Sequence, residues 1–424
     1  MRMQLCSILA VQAAVLSGGW EGFYASSIAQ AGQEAFKWAA SYPDVDRFGH
    51  SIAIDNSIAV IGSPFDRDPV SPAGAYLFDT TNGQLISELV AVNSNSQEGI
   101  GWSVGISGHT AIVGAPFDSH SGLSAGAAHI FDATTGQQLF TLFASDADTG
   151  DQFGWAVAVS GNVAVVGAHQ NSGNSRSGAA YLFDVSTGQQ LHKLTAPDFG
   201  ADDFGYSVAI SGNTAIVGAR FDEHAGIASG SAYLFDVTTG EPLRKLVAAD
   251  AAVNQNFGQT VAISGSTVVV GSHSGSSFGS GYAYVFDVST GEQLYKFVAT
   301  DSQPDAFGSS VSVSENIALI GASGRDDHGD NSGAAYLFDV TTGYELAKLT
   351  ASDLGVHDVF GFSVAISGKT AVIGSPGDRD TRYLQPGAAY AFLIVPEPTC
   401  FGLLVCSLTA IHFIVRKRAK SYQA

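Results

Sequence analysis

Phe204 to Asp250 reads FGYSVAISGNTAIVGARFDEHAGIASGSAYLFDVTTGEPLRKLVAAD. Close relatives of this stretch recur along the chain, and such a repeat fixes the architecture before any single element does. The same opening pair stands at Phe48-Gly49, Phe153-Gly154, Phe257-Gly258, Phe307-Gly308 and Phe360-Gly361, and a degenerate copy opens at Ile100-Gly101. These are seven units spaced by 50 to 53 residues.

One unit reads as four strands. From Phe204 to Ser211 the pattern has period two, with Tyr206, Val208 and Ile210 on one face and Ser207 and Ala209 on the other. Ser211-Gly212-Asn213 is a tight turn, since Gly and Asn tolerate positive φ. Thr214–Val217 is a short apolar strand, Arg220–Ser229 a loop, and Gly230–Phe235 a third strand. Asp236-Val-Thr-Thr-Gly240 is a second turn whose Asp can cap the backbone, and Leu243–Val247 is the outer strand. A unit this short cannot bury a core alone, whereas neighbours stacked around an axis can. The expected fold is all-β: a seven-bladed β-propeller of four-stranded blades. A parallel β-helix would need a shorter repeat, and an open array would need end caps that the sequence does not supply.

The ends of the repeat array are complementary. Ala35–Ser41 resembles Leu346–Ser352, a fourth strand: Lys37 answers Lys348, Trp38 answers Leu349, and Ala40-Ser41 answer Ala351-Ser352. The last unit stops after its third strand, Gly387–Phe392, with no Asp-x-Thr-Thr-Gly turn and no fourth strand. The N-terminal strand is therefore expected to complete the seventh blade and close the ring, removing two sheet edges. The propeller spans residues 35–394.

The chain has 424 residues, a formal net charge of −20 and 45% hydrophobic residues. That composition supplies a large core and excludes disorder. The acidity argues against a nucleic-acid partner. The three cysteines, Cys6, Cys400 and Cys406, all lie outside the repeats, so the ring folds without disulfides. Residues 1–29 read as an export signal and leader: Arg2, then an apolar run from Leu5 to Leu16, then small residues at Ala25 and Ala29.

After the second strand the units carry Gly62-Ser-Pro64, Gly114-Ala-Pro116, Gly167-Ala-His169, Gly218-Ala-Arg220, Gly271-Ser-His273, Gly321-Ala-Ser323 and Gly374-Ser-Pro376. With the leading Phe-Gly, this resembles the FG-GAP repeats of integrin α-chain propellers. The resemblance implies a propeller in adhesion or ligand binding, and in some blades an Asp-rich calcium loop between the first two strands. Here that position holds only short turns such as Gly161-Asn162 and Gly212-Asn213, too short to supply the six to eight oxygens of a calcium site.

Candidate chemistry is sparse. Aspartates gather before the Phe-Gly pairs, at Asp198, Asp202, Asp203, Asp353 and Asp358, and would give one rim an acidic ring. Asp146, Asp148 and Asp151 are the best calcium candidates, although no EF-hand glutamate follows them. No other cofactor is expected. The variable loops between the second and third strands offer Asp222, His224, Asp326 and His328 as ligand-binding candidates, because recognition concentrates in variable loops on a rigid scaffold. Gly271-Ser-His-Ser-Gly275 has His273 where a nucleophile elbow needs serine. No catalytic residue is expected.

The C-terminal segment 395–424 has three parts. Pro396-Glu397-Pro398 precedes an apolar run at 399–415, the short end of a membrane span, and Arg416-Lys417-Arg418 follows on what would be the cytoplasmic side. This resembles the PEP-CTERM sorting tail of Gram-negative-type bacteria. It implies an exosortase-type processing partner, anchoring in the membrane before processing, and a cell-surface or polysaccharide-rich matrix location. The expected function is an exported, non-enzymatic binding or adhesion scaffold with extracellular polysaccharide or surface protein as partner. The alternatives are a secreted enzyme or carbohydrate-processing accessory acting at one rim, and a weak calcium-dependent binding module.

Overall fold

The structure is a computed structural model that describes residues 32–39, 47–65, 74–92, 98–170, 177–198, 203–273, 281–301, 306–378 and 386–394. Glu34–Leu393 forms one compact unit, and the terminal segments Met1–Gln33 and Ile394–Ala424 are assigned to another. The export leader and the sorting motif Pro396, Glu397 and Pro398, with the apolar run after it, lie outside the described residues. Among the described residues there is no helix long and apolar enough to cross a membrane.

β1 (Gln33–Ala39) precedes the blades. The first blade comprises β2 (Ser51–Asp55), β3 (Ile58–Gly62), β4 (Ala75–Asp79) and β5 (Leu85–Leu89). The second comprises β6 (Val104–Ser107), β7 (Thr110–Ala115), β8 (Ala127–Asp132) and β9 (Gln138–Leu142), and the third β10 (Ala156–Ser160), β11 (Val163–Ala168), β12 (Ala179–Asp184) and β13 (Gln189–Leu194). The fourth comprises β14 (Phe204–Ser211), β15 (Thr214–Ala219), β16 (Ser231–Asp236) and β17 (Pro242–Leu246). β18 (Phe257–Ser264), β19 (Thr267–Ser272), β20 (Tyr282–Asp287) and β21 (Gln293–Phe297) make the fifth. The sixth holds β22 (Phe307–Ser314), β23 (Ile317–Ala322), β24 (Ala334–Asp339) and β25 (Glu345–Leu349), and the seventh β26 (Ser363–Ser367), β27 (Thr370–Ser375) and β28 (Ala388–Leu393). Each of the first six sheets runs in sequence order, while the seventh has the order β1-β28-β27-β26.

The second strand of each blade is a continuous apolar run because both of its faces are covered; Ala215–Ala219 in β15 is wholly buried. The cores lie between blades. One cluster joins Val165, Leu182 and Leu194 of the third blade to Phe204, Val208, Val217, Tyr233 and Phe235 of the fourth. The first strands touch in a closed cycle, β2-β6-β10-β14-β18-β22-β26 and back to β2. Their small-residue face permits this closeness: a Cβ on Gly105 would meet the Ala158 Cα at 3.2 Å.

The Phe-Gly and Gly-Ala-Pro signatures form the seams. Phe204 packs on Tyr233 and Phe235 of its own blade, with ring centroids 5.7 and 5.9 Å apart. Gly205 then runs against the preceding blade so closely that a Cβ on Gly167 would lie 2.1 Å from the Gly205 carbonyl oxygen. Serine on the first strand clasps the same carbonyl across other seams: Ser51 Oγ donates to Gly101 O at 2.7 Å and Ser207 Oγ to Gly258 O at 2.8 Å. On the opposite face, the turns between first and second strands bond blade to blade. Gly161 N donates to Ser107 Oγ at 3.1 Å, and Gly212 N to Ser160 Oγ at the same distance.

Closure uses the same contacts. Ser363 Oγ donates to Gly49 O at 2.7 Å, and Phe48 bridges to Gly387. On the outside, β1 takes every role of a fourth strand. Glu34 accepts from Ser352 N at 2.9 Å, as Gln293 accepts from Ala249 N. The Phe36 ring lies under Gly83, as the Tyr295 ring lies under Gly343. Lys37 bonds Asp353 and Asp378, as Lys348 bonds Asp301 and Asp327. Trp38 is buried, and its indole N–H donates to Gly83 O at 3.0 Å.

Candidate ligand-binding site at the mouth of the ring

The residue after each Phe-Gly opens the innermost strand at the mouth of the channel. A tight turn puts it there: Tyr206 N donates to Asp203 O at 3.0 Å, Trp155 N to Gln152 O at 3.1 Å, and His50 N to Arg47 O at 3.0 Å. The pairing of β14 with β15 shifts between Phe204 and Ser207, so Tyr206 escapes the strand's alternation and stands in the mouth, not the core.

Around the ring this position holds Phe362, His50, Trp102, Trp155 and Tyr206, then Gln259 and Ser309. The first five touch in order. Centroids are 5.2 Å apart for Phe362–His50, 4.8 Å for both His50–Trp102 and Trp102–Trp155, and 5.7 Å for Trp155–Tyr206. Phe65, Phe117 and His169 back this arc. The mouth is therefore aromatic on five blades and polar on two. His50 donates through Nδ1 to Trp102 O, 3.2 Å away. Desolvation by the packed rings, reinforced by the nearby Arg47, lowers its pKa to about 4, so it is neutral at pH 7. Asp203 bonds Arg220 Nε at 2.9 Å, and that guanidinium lies 3.6 Å over the Tyr206 ring. Burial alone would raise Asp203; bonds from His169 and Arg220 outweigh it and hold the carboxyl below its usual range.

The aspartates before the Phe-Gly pairs do other work. Asp146 accepts from Tyr181 Oη at 2.8 Å and from Lys193 Nζ at 2.5 Å. Asp198, Asp250, Asp301 and Asp353 repeat this with Tyr233 and Lys245, Tyr284 and Lys296, Tyr336 and Lys348, and Tyr390 and Lys37. Burial opposes ionisation of these carboxylates, but the lysine and tyrosine bonds win and all five pKa values fall. Of the expected acidic ring, Asp198 and Asp353 are thus rivets, like Asp146, Asp250 and Asp301, tying five linkers to the outer strands of the next blade, whereas Asp203 pairs with Arg220, Asp358 accepts from Gly355 N, and Asp202 lies outside the described residues.

Each of the calcium candidates already has a protein partner. Asp146 is in its rivet, Asp151 accepts from Asp148 N at 2.8 Å, and Asp148 caps Thr149 N at 2.7 Å. Among the described residues no group of three or more His, Cys, Asp or Glu is placed to hold a metal ion. Asp222 is buried, bonding Tyr233 Oη at 2.6 Å and Lys245 Nζ at 3.1 Å. Asp326 caps Asn331 N at 2.7 Å. His224 and His328 are exposed, but they stand on the loops of the fourth and sixth blades with a blade between them. The four ligand candidates do not form one site.

The second blade breaks the rivet. His129 replaces the tyrosine and Thr141 the lysine opposite it. His129 is 3% exposed and its Nε2 has no partner, while Asp118 is buried nearby. Burial lowers the His129 pKa from 6.5 to about 4. The unfolded chain therefore binds the proton first, and stability held above pH 6.5 is lost as pH falls towards 4. His129→Tyr would place a hydroxyl towards Asp118, as Tyr233 meets Asp222. Thermal melts at pH 7 and pH 5 should show a higher midpoint and a shallower acid loss than wild type. An unchanged difference between the two pH values would refute this account of His129.

The FG-GAP repeat family matches residues 41–78, 84–131, 137–183, 189–235, 243–286, 292–338 and 344–392. The chain belongs to the FG-GAP repeat family. No curated protein matches it. The FG-GAP repeat and the blade are out of phase: the match at 84–131 takes β5 from the first blade with β6, β7 and β8 from the second. In the same phase β1 stands ahead of β2, β3 and β4 as β5 stands ahead of β6, β7 and β8, and it pairs with β28 of the seventh blade.

Proposed function

We propose that this propeller is an exported, non-enzymatic binding module that holds an extracellular ligand at its aromatic mouth. The observation that carries this reading is the contiguous arc Phe362–His50–Trp102–Trp155–Tyr206. Aromatic rings gathered at a concave opening, with a few polar groups beside them, are what a binding site needs. Asp203 is committed to Arg220 and His169 to Gln152, which favours binding over catalysis.

The geometry of the ends supports display. Leu393 pairs with Thr370, beside the turn between β26 and β27, so β28 ends on the face away from the mouth. The protein serves in adhesion or matrix assembly. The test is the binding of the full-length chain to arrayed cell-surface polysaccharides and proteins, compared with Trp102→Ala and Trp155→Ala. Loss of binding in both variants with unchanged melting is expected. Full binding in both, with loss in a His224→Ala/Asp326→Ala variant, would move the site to the outer loops. Asp222 is unsuited to this test because replacing it breaks a rivet.

A further inference from the structure

Resting on that reading, we propose that the mouth takes a neutral sugar ring of a polysaccharide, stacked on Trp102 and Trp155 and hydrogen-bonded by Gln259. A pyranose presents C–H bonds on its face and hydroxyls at its edge. The π face of an aromatic ring is its negative side and attracts those C–H groups, while the hydroxyls need neutral donors and acceptors. The mouth has both. Two indoles lie 4.8 Å apart between centroids, with Tyr206 and His50 flanking them. Among the described residues, neither indole N–H nor the Gln259 carboxamide has a protein partner, and all three side chains are partly exposed. His50, with Nδ1–H given to Trp102 O, keeps its other ring nitrogen as an acceptor. Ser309 adds a hydroxyl on the polar side, 3.4 Å from Ser323 Oγ.

The charges at the mouth select against the alternatives. An aromatic arc also suits a cation, but the protein's own cations already lie over one end of it and over a ring that backs it. Arg220 lies over Tyr206 at 3.6 Å, and Arg47 over Phe65 at 5.0 Å. Asp203 is spent on Arg220, so an incoming ammonium would meet like charge without a free carboxylate to offset it. Among the described residues, an anionic ligand would find Arg47 and an Arg220 already paired with Asp203, on a chain of net charge −20.

The test is calorimetry and tryptophan fluorescence on the full-length chain. Its probes are neutral hexasaccharides of glucose, xylose and mannose, a uronic-acid hexasaccharide, and an Arg/Lys-rich peptide. A neutral hexasaccharide should bind and change the emission. Trp155→Ala should weaken it by about tenfold or more, and Gln259→Ala by about fivefold. Trp102→Phe, which keeps a ring and removes the N–H, should weaken it by about threefold, less than Trp102→Ala. Binding of the peptide or the uronate alone, lost in Trp155→Ala, would overturn the sugar class and leave the mouth as the binding site. Neutral-sugar binding indifferent to all these variants would place the sugar elsewhere. No change in emission with any probe would remove the neutral-sugar proposal, and if Trp102→Ala and Trp155→Ala also keep full array binding, the mouth itself falls.

Discussion

Deleting Gln33–Ala39 should lower the melting temperature by about 10 °C or more and leave a chain that self-associates. The reason is the number of contacts that one short strand supplies. Trp38 is 5% exposed and packs on Phe78 of the first blade at 5.1 Å, so β1 joins the seventh blade to the first as well as completing it. Truncating a buried Trp costs about 3–5 kcal/mol. Lys37 is partly exposed, and its pairs with Asp353 and Asp378 add about 1 kcal/mol after allowance for solvent. The deletion loses both and bares the edge of β28, a template for another chain. Trp38→Ala should show most of the thermal loss, and Lys37→Met a small part. A peptide with the sequence of residues 33–41, added to the deleted chain, should restore the monomer. If the deleted chain melted like wild type, β1 would not be what closes the ring.

That closure was readable from the sequence because its signal is a duplicated pattern. Lys37 and Trp38 echo Lys348 and Leu349, and the last unit lacks the strand that the first has to spare. The seams were readable for the same reason: Phe204-Gly205 and Gly218 recur in type. The mouth was not, because its residues vary in type from unit to unit. Searching for invariance passes over His50, Trp102, Trp155, Tyr206 and Phe362. Aligning the units on Phe-Gly and reading the next residue would have found five rings in succession. Tyr206 was further hidden by the simple alternation, which assigns it to the face of Val208 and Ile210 until the shift after Phe204 turns it outward. The rivets were half visible. The aspartates stand out near Phe-Gly, but the partners of Asp198 are Tyr233 and Lys245, 35 and 47 residues away in sequence, and only the folded blade brings them together. For the same reason Asp222 looked like a loop residue free for a ligand, when it is buried against Tyr233.

Gly205→Ala should be among the most costly single substitutions in the ring, and its comparison with Gly212→Ala isolates why. Both glycines have positive φ, +90° at Gly205 and +55° at Gly212. An L-residue at such a φ costs about 1–2 kcal/mol. At Gly212 nothing lies within 4 Å of the added Cβ, so the cost should stop there. At Gly205 the Cβ would stand 2.2 Å from Ala179 O and 3.2 Å from Ala168 N, both backbone atoms of the preceding blade. Neither can step aside. Ala179 and Ala168 pair with each other at the ends of β12 and β11, and on the other side Gly167 is held against Gly205. The seam between the third and fourth blades must open instead, loosening Phe204 from the core it shares with Leu182 and Leu194. Backbone strain and lost packing together should reach about 4 kcal/mol or more. Denaturant titration of the two variants should therefore separate them by at least about 2 kcal/mol. Hydrogen exchange in Gly205→Ala should speed up in β12 and β14 and stay slow in β23. Equal destabilisation by the two substitutions would mean that the seam tolerates a methyl group, and that conformation alone explains the glycine of Phe-Gly.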